Sequence, residues 1–546
     1  MVLSAIRPLG RITAVLAALA VLRTALSIAK NRALARRVRF TDGACPCEMV
    51  GMTALQRLLV GVFGAIRKAG NLVVWQRANL LASHPDALFM AASFLGHPSV
   101  TLADPKAIQA VLSSQAASFG KFPANVSRFK MIMGEYSMLA IDGDMHKTHR
   151  RVITPLFNLA ALKKLVPTME VSIEELLGVL DATAVQPAAE VDVQRLSISF
   201  ALNVIGRTAL ATDFDALNPS RTHPLHTAYN SLLGLFGFHR WALIRSLFPW
   251  AIHVPVEENM AVKRAHDYVF AEMDAIVRRI QVTADGGSTD EPSSSKIAKS
   301  TLATVLLDAQ SQTQANGAGT LPLIEIRDEL LTFLVAGHET TANAISMTLW
   351  FLAANLKEQD KLVAALMALG PDPSLDALLA LPELANVVHE SLRLHSPAFS
   401  ARRAALHDVH VPLSDGRALI LPKGMEVVIP IQAIHLLPSN FSDPLDFQPD
   451  RWNAIRMAGS TDHQISGGTS TTVLHPGQYL PFFFGPRVCV GRQFAVLELK
   501  LSVARILARF QVSLPADPDR QQRPACSYAV TAKPKAVPLR FEKRQV

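Results

Sequence analysis

The amino-acid sequence predicts a mostly helical protein with small β-sheets, an α+β fold. About half of the 546 residues are apolar, and Ala and Leu, which favour helix, dominate. Apolar residues recur at helical spacing over three long stretches, Ile324–Leu356, Pro382–His395 and Arg492–Phe510. The shorter stretch Arg417–Pro430 alternates and is bounded by Asp-Gly and Pro, which is typical of a β-hairpin.

The chain has two predicted parts, an N-terminal membrane anchor with a basic linker at residues 1–45 and one large domain at residues 46–546. No acidic residue precedes Asp42, and the apolar run Ile12–Leu22 is followed by a cluster of basic residues. Arg23 costs about 2.5–3.5 kcal/mol in a bilayer, which the surrounding Leu, Ile and Val side chains offset at about 0.3–0.6 kcal/mol each. The basic flank predicts an anchor in the endoplasmic reticulum membrane with the large domain in the cytoplasm. An Arg-rich mitochondrial presequence is the alternative.

The formal net charge of +9 narrows the possible partners. We find no nucleic-acid recognition motif, and aromatic residues make up only 6% of the chain, too few to supply stacking platforms for bases. A membrane surface, an acidic redox partner or an anionic substrate explains the charge better. We therefore expect no nucleic-acid partner.

The four cysteines are too few and too unevenly placed for a disulfide framework. Cys45, Cys47 and Cys526 are interpreted as reduced, small hydrophobic residues. Cys489 differs because it stands in the run FFFGPRVCVG at residues 482–491, directly before an amphipathic helical pattern. That setting makes it the candidate for chemistry.

The residues around Cys489 suit a metal-bound thiolate. Gly485 and Gly491 permit tight turns and a close approach of the backbone to a planar ligand. Backbone amides of such a loop, with the N-terminus of the following helix, stabilise a negative sulfur. Phe482 can shield the sulfur from water, and Arg487 can pair with a carboxylate of the ligand.

This loop resembles the cysteine loop of the cytochrome P450 family, which has Phe, Gly, Arg, Cys and Gly at the same relative positions. The resemblance implies the cytochrome P450 fold and haem b, with Cys489 as the axial thiolate ligand of the iron. It also implies that Arg487 pairs with a haem propionate and that residues 46–546 form a haem-thiolate catalytic domain. For the motif alone, a structural cysteine in a glycine-rich turn is the alternative.

The predicted helix over Leu331–Leu349 is apolar except for its centre, AGHETT. A mid-helix glycine costs up to about 1 kcal/mol relative to alanine, so Gly337 needs a local reason. The Thr340 hydroxyl can bond the carbonyl four residues back and loosen the helix into a groove. The segment resembles the family's oxygen-binding helix, which assigns Thr340 to the oxygen-activation site and Glu339 to proton delivery, a general-acid task.

Further motifs resemble supporting parts of the same fold. Glu390 and Arg393 match a buried Glu–Arg pair, and Arg451 in the segment FQPDRW matches the arginine that completes it. An exposed pair is the alternative and would contribute little. In a buried network, by contrast, the loss of one member is costly.

Several basic residues match positions that bind the haem propionates in the family. His146 and Arg150 take the places of a Trp and an Arg on the family's third helix. Arg403, five residues before Asp408, fits another propionate-binding arginine, and His435 fits a further position. The resemblance therefore implies a basic ring around the haem edge.

By resemblance, the reaction inserts one atom of O₂ into a C–H bond or across a C=C bond and reduces the other to water. Electrons are expected from NADPH through a separate flavoprotein, an NADPH-cytochrome reductase, because the chain shows no flavin- or nicotinamide-binding motif. An acidic reductase suits a basic face on the cysteine side of the haem, predicted at Lys147, Arg150, Arg151, Arg487 and Arg492. A haem-thiolate isomerase or dehydratase and a haem sensor are the alternatives, and the Glu339-Thr340 pair argues against both.

The substrate is predicted only by class. Phe333, Ala336 and Phe399 are expected to line an apolar pocket that the segment Phe119–Met133 covers. Three basic residues of that segment are candidates to hold a carboxylate: Lys121, Arg128 and Lys130. A fatty acid or other organic acid is therefore one option. A terpenoid or polyketide of secondary metabolism is the other, because similar fungal microsomal members oxidise such scaffolds.

Overall fold

The computed structural model describes residues 37–40, 89–94, 97–185, 189–218, 224–233, 249–284, 301–308, 321–457, 472–528 and 530–544. The predicted anchor and linker at residues 1–45 lie outside these ranges except for residues 37–40. In the described ranges, no helix combines the length and the apolar character needed to cross a membrane.

Helices form the body of the described structure. Their bounds are α1 Pro105–Gln109, α2 Pro123–Met133, α3 Gly143–Ile153, α4 Leu159–Lys163, α5 Val166–Ala184, α6 Val193–Ala209, α7 Pro224–Leu233, α8 Glu257–Ala284, α9 Leu323–Ala354, α10 Leu356–Ala368, α11 Leu375–Ala380, α12 Pro382–Leu394, α13 Ile431–Ile434 and α14 Arg492–Arg509. A further helical segment covers residues 302–308. The three helices predicted from apolar spacing are α9, α12 and α14, each within two residues of its predicted bounds.

Helix α9 is the centre of the body. Its side chains are mostly apolar on every face, which is typical of a helix enclosed by others. It packs against α6, α8, α12 and α14, and most of its buried apolar residues belong to the largest apolar cluster of the described structure. A helix held on several sides gives a rigid support for any functional group on its surface.

The strands form small sheets beside the helical body. Their bounds are β1 Arg39–Phe40, β2 Phe89–Phe94, β3 His97–Leu102, β4 Phe119–Lys121, β5 Val191–Asp192, β6 Ala401–Ala405, β7 Val409–Pro412, β8 Ala418–Leu421, β9 Glu426–Ile429, β10 Ile455–Met457, β11 Thr472–Leu474, β12 Phe510–Ser513, β13 Cys526–Tyr528, β14 Ala532–Pro534 and β15 Pro538–Lys543. The largest described sheet has the order β2-β3-β9-β6-β4, and a second has the order β1-β8-β7. The predicted mixture of helices with minor sheet is confirmed.

The predicted hairpin over Arg417–Pro430 is wrong in its pairing. Strands β8 and β9 both lie in this stretch, but β8 pairs with β7 and β1, whereas β9 lies between β3 and β6. The turn between them carries Gly424 at φ +81°, and the Gly424 amide donates to the Ala405 carbonyl at 2.8 Å. This contact directs the chain onto β6 instead of back along β8.

Candidate active site

The cysteine loop lies between two apolar clusters. Phe482 packs against the larger cluster, whereas Phe483 and Phe484 pack against the cluster around the largest described sheet. Gly485 has φ +75°, and a Cβ atom there would lie 2.2 Å from the Leu112 carbonyl oxygen. Glycine is therefore required at this position for two reasons, the backbone conformation and the close neighbour.

Burial and the contacts within the loop act in opposite directions on the Cys489 thiol, and its pKa is raised overall. The Cys489 amide donates to the Phe482 carbonyl at 2.9 Å, which closes the loop. Burial raises the pKa of the Cys489 thiol, while a hydrogen bond from the Gly491 backbone and the positive charge of Arg150 act in the opposite direction. Cys489 nevertheless has exposed surface. A metal cation bound there would complete the stabilisation of the thiolate.

Four charged side chains gather beside the loop. Arg487 pairs with Asp142 at 2.8 Å, and Lys121 lies 3.7 Å from the same carboxylate. Lys121 and Arg403 are partners across strands β4 and β6. Burial, followed by the charge of Arg487, lowers the pKa of Arg403 to about 10. Carboxylates brought to this cluster would relieve the repulsion between its cations, as the two propionates of a haem would.

Helix α3 places two more predicted site residues here. His146 is buried, and burial together with the charges of Lys121 and Arg487 lowers its pKa to about 4. The ring is therefore neutral near pH 7 and can donate one N–H. Arg150 donates from Nη1 to the Val488 carbonyl at 2.7 Å. It thus contacts the backbone of the cysteine loop, and propionate binding by its other N–H groups stays a prediction.

The centre of α9 presents an exposed patch. Ala336 is exposed although most of the helix is buried, and Thr340 donates its hydroxyl to the Ala336 carbonyl at 2.7 Å, as predicted. The structure explains the glycine at position 337 by helix packing and not by the predicted local groove. A Cβ atom at residue 337 would lie 2.9 Å from Ile205 Cδ1, so the glycine allows α6 to approach α9 closely.

Glu339 points into the protein, away from the patch. It is buried, and its Oε1 accepts a hydrogen bond from the Thr531 hydroxyl at 2.6 Å. Asn343 Nδ2 donates to the Thr531 hydroxyl at 3.2 Å. The structure therefore does not bring the Glu339 carboxyl together with the Thr340 hydroxyl, although the two residues are neighbours in sequence. Thr531 is a site residue that the sequence analysis missed.

Two other residues of α9 have structural roles. His338 Nδ1 lies 2.7 Å from the Leu334 carbonyl within the helix, which fits an imidazole that donates to its own backbone. Phe333 was predicted to line the substrate pocket, and this is wrong. Its ring is buried in the core and meets Phe157 edge to face, with centroids 5.3 Å apart.

The predicted Glu–Arg network is present, and Glu390 and Arg393 are fully buried. Arg393 donates from Nη2 to Glu390 at 2.8 Å, and Arg451 donates from Nε to the same carboxylate at 3.0 Å. Trp452, which was not predicted, adds a hydrogen bond from Nε1 at 3.0 Å. Arg393 also donates to the carbonyls of Pro444 and Asp446. The network therefore holds the chain ahead of the cysteine loop against α12.

His435 does not fit the predicted role in propionate binding. The residue is fully buried. One ring nitrogen accepts from the Leu480 amide at 2.9 Å, and the other lies 3.1 Å from the Ser396 hydroxyl. Both nitrogens are thus bound to protein groups, and this prediction is wrong.

A second buried group was missed altogether. His149 lies on α3, and its two ring nitrogens lie 2.7 Å from Glu329 and 2.9 Å from Glu325 on α9. Burial lowers the pKa of His149, but hydrogen bonds and charges from the two glutamates outweigh it and raise the pKa overall. The neighbour of His149 in sequence, Arg150, holds the cysteine loop. Helix α3 therefore links that loop to α9.

The donor set fits a haem. In the described part of the chain, no group of three or more His, Cys, Asp or Glu side chains is arranged to hold a metal ion. The thiol of Cys489 in its glycine-bounded loop suits a metal whose remaining ligands come largely from a porphyrin. The basic cluster at Arg487, Arg403 and Lys121 suits the porphyrin carboxylates. Fold and site together define a haem-thiolate protein.

Comparisons with known proteins agree with this assignment to the haem-thiolate proteins. The model of the cytochrome P450 family matches residues 63–539, and the chain belongs to that family. It is 26% identical over 441 residues to cytochrome P450 monooxygenase 128 of Postia placenta, covering 76% of this chain and 78% of the relative. It is 28% identical over 430 residues to cytochrome P450 72A13 of Arabidopsis thaliana, covering 76% and 75%.

Solved structures agree on the fold. The crystal structure of the cytochrome P450DA haem domain aligns with a TM-score of 0.70 at 22% identity, over 87% of this chain and 94% of that chain. The protein is a haem-thiolate monooxygenase that binds haem b, acts on a small molecule and depends on a redox partner.

Proposed function

We propose that this monooxygenase hydroxylates or epoxidises an apolar organic molecule, with NADPH as the source of electrons. One atom of O₂ enters the substrate, and the other leaves as water after the uptake of two electrons and two protons. Bound haem supplies the oxygen-activating centre. The single observation that carries the proposal is the position of Thr340 on α9, half-buried with its hydroxyl on the carbonyl of the exposed Ala336, directly after the buried acid Glu339 in sequence.

Thr340 is suited to hold a hydrogen-bond donor at the open face of α9. Its hydroxyl proton is already donated to the Ala336 carbonyl. The lone pairs of its oxygen are therefore available to accept from a water molecule on the exposed side. Such a water can pass protons to the reaction centre, which is the task of a general-acid relay.

Glu339 is suited to supply those protons from the protein side. Its carboxyl is buried and held by Thr531. Because the carboxyl lies away from the Thr340 hydroxyl, it must leave the Thr531 hydrogen bond to deliver a proton toward Thr340. The relay that we propose therefore includes a movement of Glu339.

A test of the reaction class uses purified holoprotein, a flavoprotein reductase and a bound substrate. We expect NADPH and O₂ to be consumed as product forms, and Thr340→Ala to shift electrons from product to peroxide. Thr340→Ser keeps the hydroxyl and is the matched control. Product formation without NADPH or O₂ would instead identify an isomerase or a dehydratase, the alternative function.

We propose an apolar pocket bounded by Ala336 and Phe399. Phe399 meets the ring of Tyr528 edge to face, with centroids 5.2 Å apart, which supports a pocket wall contributed by β13. The exposed surface of Ala336 on α9 supports a second wall. A terpenoid or polyketide of secondary metabolism and the alkyl chain of a fatty acid both suit such walls.

The proposal that the substrate is an organic acid depends on the basic residues of the segment that was predicted to cover the pocket. Lys121 donates from Nζ to the Met138 carbonyl at 2.7 Å, and Lys130 pairs with Glu135. Burial and the charge of Arg402 lower the pKa of Arg128, and a carboxylate there would offset both effects. A binding-shift titration with fatty acids and neutral terpenoids separates the two classes. An acid substrate predicts weaker binding of the fatty acid to Arg128→Gln, with neutral ligands unaffected.

We propose that a reductase docks on the basic face of the cysteine side. Lys147 and Arg151 on α3 are exposed there, and Lys147 forms a surface pair with Asp144. Reduction rates that fall steeply with added salt, and fall further in Lys147→Glu, would support this docking.

The predicted anchor in residues 1–45 leads us to propose that the protein is located at the endoplasmic reticulum membrane. Mitochondria are the alternative, and a fluorescent fusion of the full chain distinguishes them.

A further inference from the structure

We infer that His435 positions the cysteine loop through the backbone amide of Leu480. This inference rests on the haem-thiolate site and concerns how the protein holds the ligand sulfur in place. His435 follows directly after α13 and is fully buried. It makes no contact with Cys489 in the described hydrogen bonds, so its effect passes through the backbone between them.

The connection runs through three consecutive hydrogen bonds. His435 Nε2 accepts from the Leu480 amide at 2.9 Å. The Leu480 carbonyl accepts from the Phe483 amide at 3.1 Å, and the Phe482 carbonyl accepts from the Cys489 amide at 2.9 Å. The imidazole thus holds the first residue of the path that ends at the sulfur.

The surroundings of the ring fix which nitrogen carries the proton. The Ser396 hydroxyl donates its only proton to the Leu392 carbonyl at 2.7 Å. It must therefore accept from His435, whose Nδ1 lies 3.1 Å away. Nε2 then bears the lone pair that the Leu480 amide needs. Burial and the charge of Arg393 lower the pKa of His435 to about 3, so the ring stays neutral.

The ring is also held from its backbone side. The His435 carbonyl accepts from Arg393 Nη1 at 3.0 Å, and this arginine belongs to the buried network around Glu390. The Tyr479 ring lies against the imidazole with centroids 5.1 Å apart. His435 therefore transmits the rigidity of that network to the entrance of the cysteine loop.

Removal of the acceptor leaves a buried donor without a partner. Leu480 is 1% exposed, so water cannot readily replace the imidazole at its amide. The loop would relax to find another acceptor, and the position of the sulfur relative to the iron would change. The consequence is specific to the thiolate ligand and does not require general unfolding.

The test follows the red-shifted absorption band that the reduced carbonyl complex shows only with a thiolate ligand. His435→Phe keeps an aromatic ring but removes the acceptor. His435→Gln places an amide oxygen near the position of Nε2, whereas His435→Asn is too short to reach. Holoproteins are incubated below their unfolding temperature, as checked by circular dichroism, and the decay of the band is timed.

We expect the band to decay about fivefold faster in the Phe and Asn variants, as for one lost hydrogen bond, and the Gln variant to stay close to wild type. If His435→Phe does not fold, the Gln and Asn pair carries the comparison. Equal decay in wild type and Asn, or decay in Gln as fast as in Asn, would overturn the inference. The measurement needs no substrate and no turnover, so its failure leaves the proposed reaction untouched.

Discussion

Thr531 donates its hydroxyl proton to Glu339 at 2.6 Å, which joins the loop between β13 and β14 to the acid of the oxygen-activation helix. Asn343 donates to the same Thr531 hydroxyl, and Gln194 donates to Asn343 at 2.7 Å. The acid is therefore the end of a buried chain of polar side chains. Because β13 also carries Tyr528, which packs on Phe399 of the proposed pocket, movement of this hairpin would affect both sites.

Replacement of Thr531 tests whether this hydrogen bond matters for the reaction. Thr531→Val keeps the shape but removes the donor, so the Glu339 carboxyl loses a partner in a buried setting. We expect the ratio of peroxide to product to rise about fivefold, as for a lost hydrogen bond of about 1 kcal/mol. Thr531→Ser keeps the hydroxyl and is the control. Product per NADPH equal to wild type in the Val variant would exclude this role.

The pair of glutamates around His149 predicts a pH dependence of stability. Burial lowers the pKa of His149, but Glu329 and Glu325 raise it overall. The folded state therefore holds a proton that the unfolded state releases more readily. The stabilisation is complete below the ordinary histidine pKa and is lost as the pH rises through the raised value.

This dependence is measured as the free energy of unfolding from about pH 6 to pH 9 in wild type and His149→Gln. We expect the difference between the two proteins to shrink as the pH rises. A constant difference for His149→Gln across the range would show that folding does not change the pKa of His149 and would contradict this prediction.

The buried network predicts a large cost for removing its carboxylate. Glu390→Gln leaves the charges of Arg393 and Arg451 without their carboxylate partner, and we expect a loss of about 3–5 kcal/mol of stability. Asp450→Asn breaks an exposed pair with Lys361 and should cost less than about 1 kcal/mol. Denaturant unfolding of the holoproteins measures both. Equal costs would mean that the network contributes no more than a surface pair.

Replacing each of the two glycines of the cysteine loop with alanine is expected to have opposite effects on stability. Gly485→Ala forces a side chain into a positive φ and against the Leu112 carbonyl, so we expect a loss of at least about 2 kcal/mol and poor haem retention. Gly491 has φ −77° and no neighbour within 4 Å of an added Cβ. Gly491→Ala should leave unfolding of the haem-free protein unchanged, and a large destabilisation there would contradict the described geometry.

The parts of the fold that were predicted correctly follow from local sequence patterns. Helices α9, α12 and α14 follow from apolar spacing within one segment, and the cysteine loop follows from residue types at fixed spacing. The bond from Thr340 to Ala336 was predictable because both groups lie on one helical turn. The network at Glu390 was predictable because each member stands in a recognisable motif.

Contacts between distant segments could not be predicted. Thr531 and Glu339 are 192 residues apart, and His149 and Glu329 are 180 apart, so no sequence pattern marks either pair. The close approach of Ile205 to Gly337 and the separation of β8 from β9 likewise depend on how segments pack. His435 and Phe333 were misassigned for the same reason, because their partners come from other elements.

The most direct test of the account is the absorption spectrum of the reduced carbonyl complex of Cys489→Ala. Wild type and Cys526→Ala, which removes the other free thiol of the described residues, should both show the red-shifted band of thiolate-bound haem. Cys489→Ala should lose it completely while its circular dichroism stays that of a folded helical protein. Retention of the red-shifted band without the Cys489 sulfur would contradict the assignment of the haem ligand.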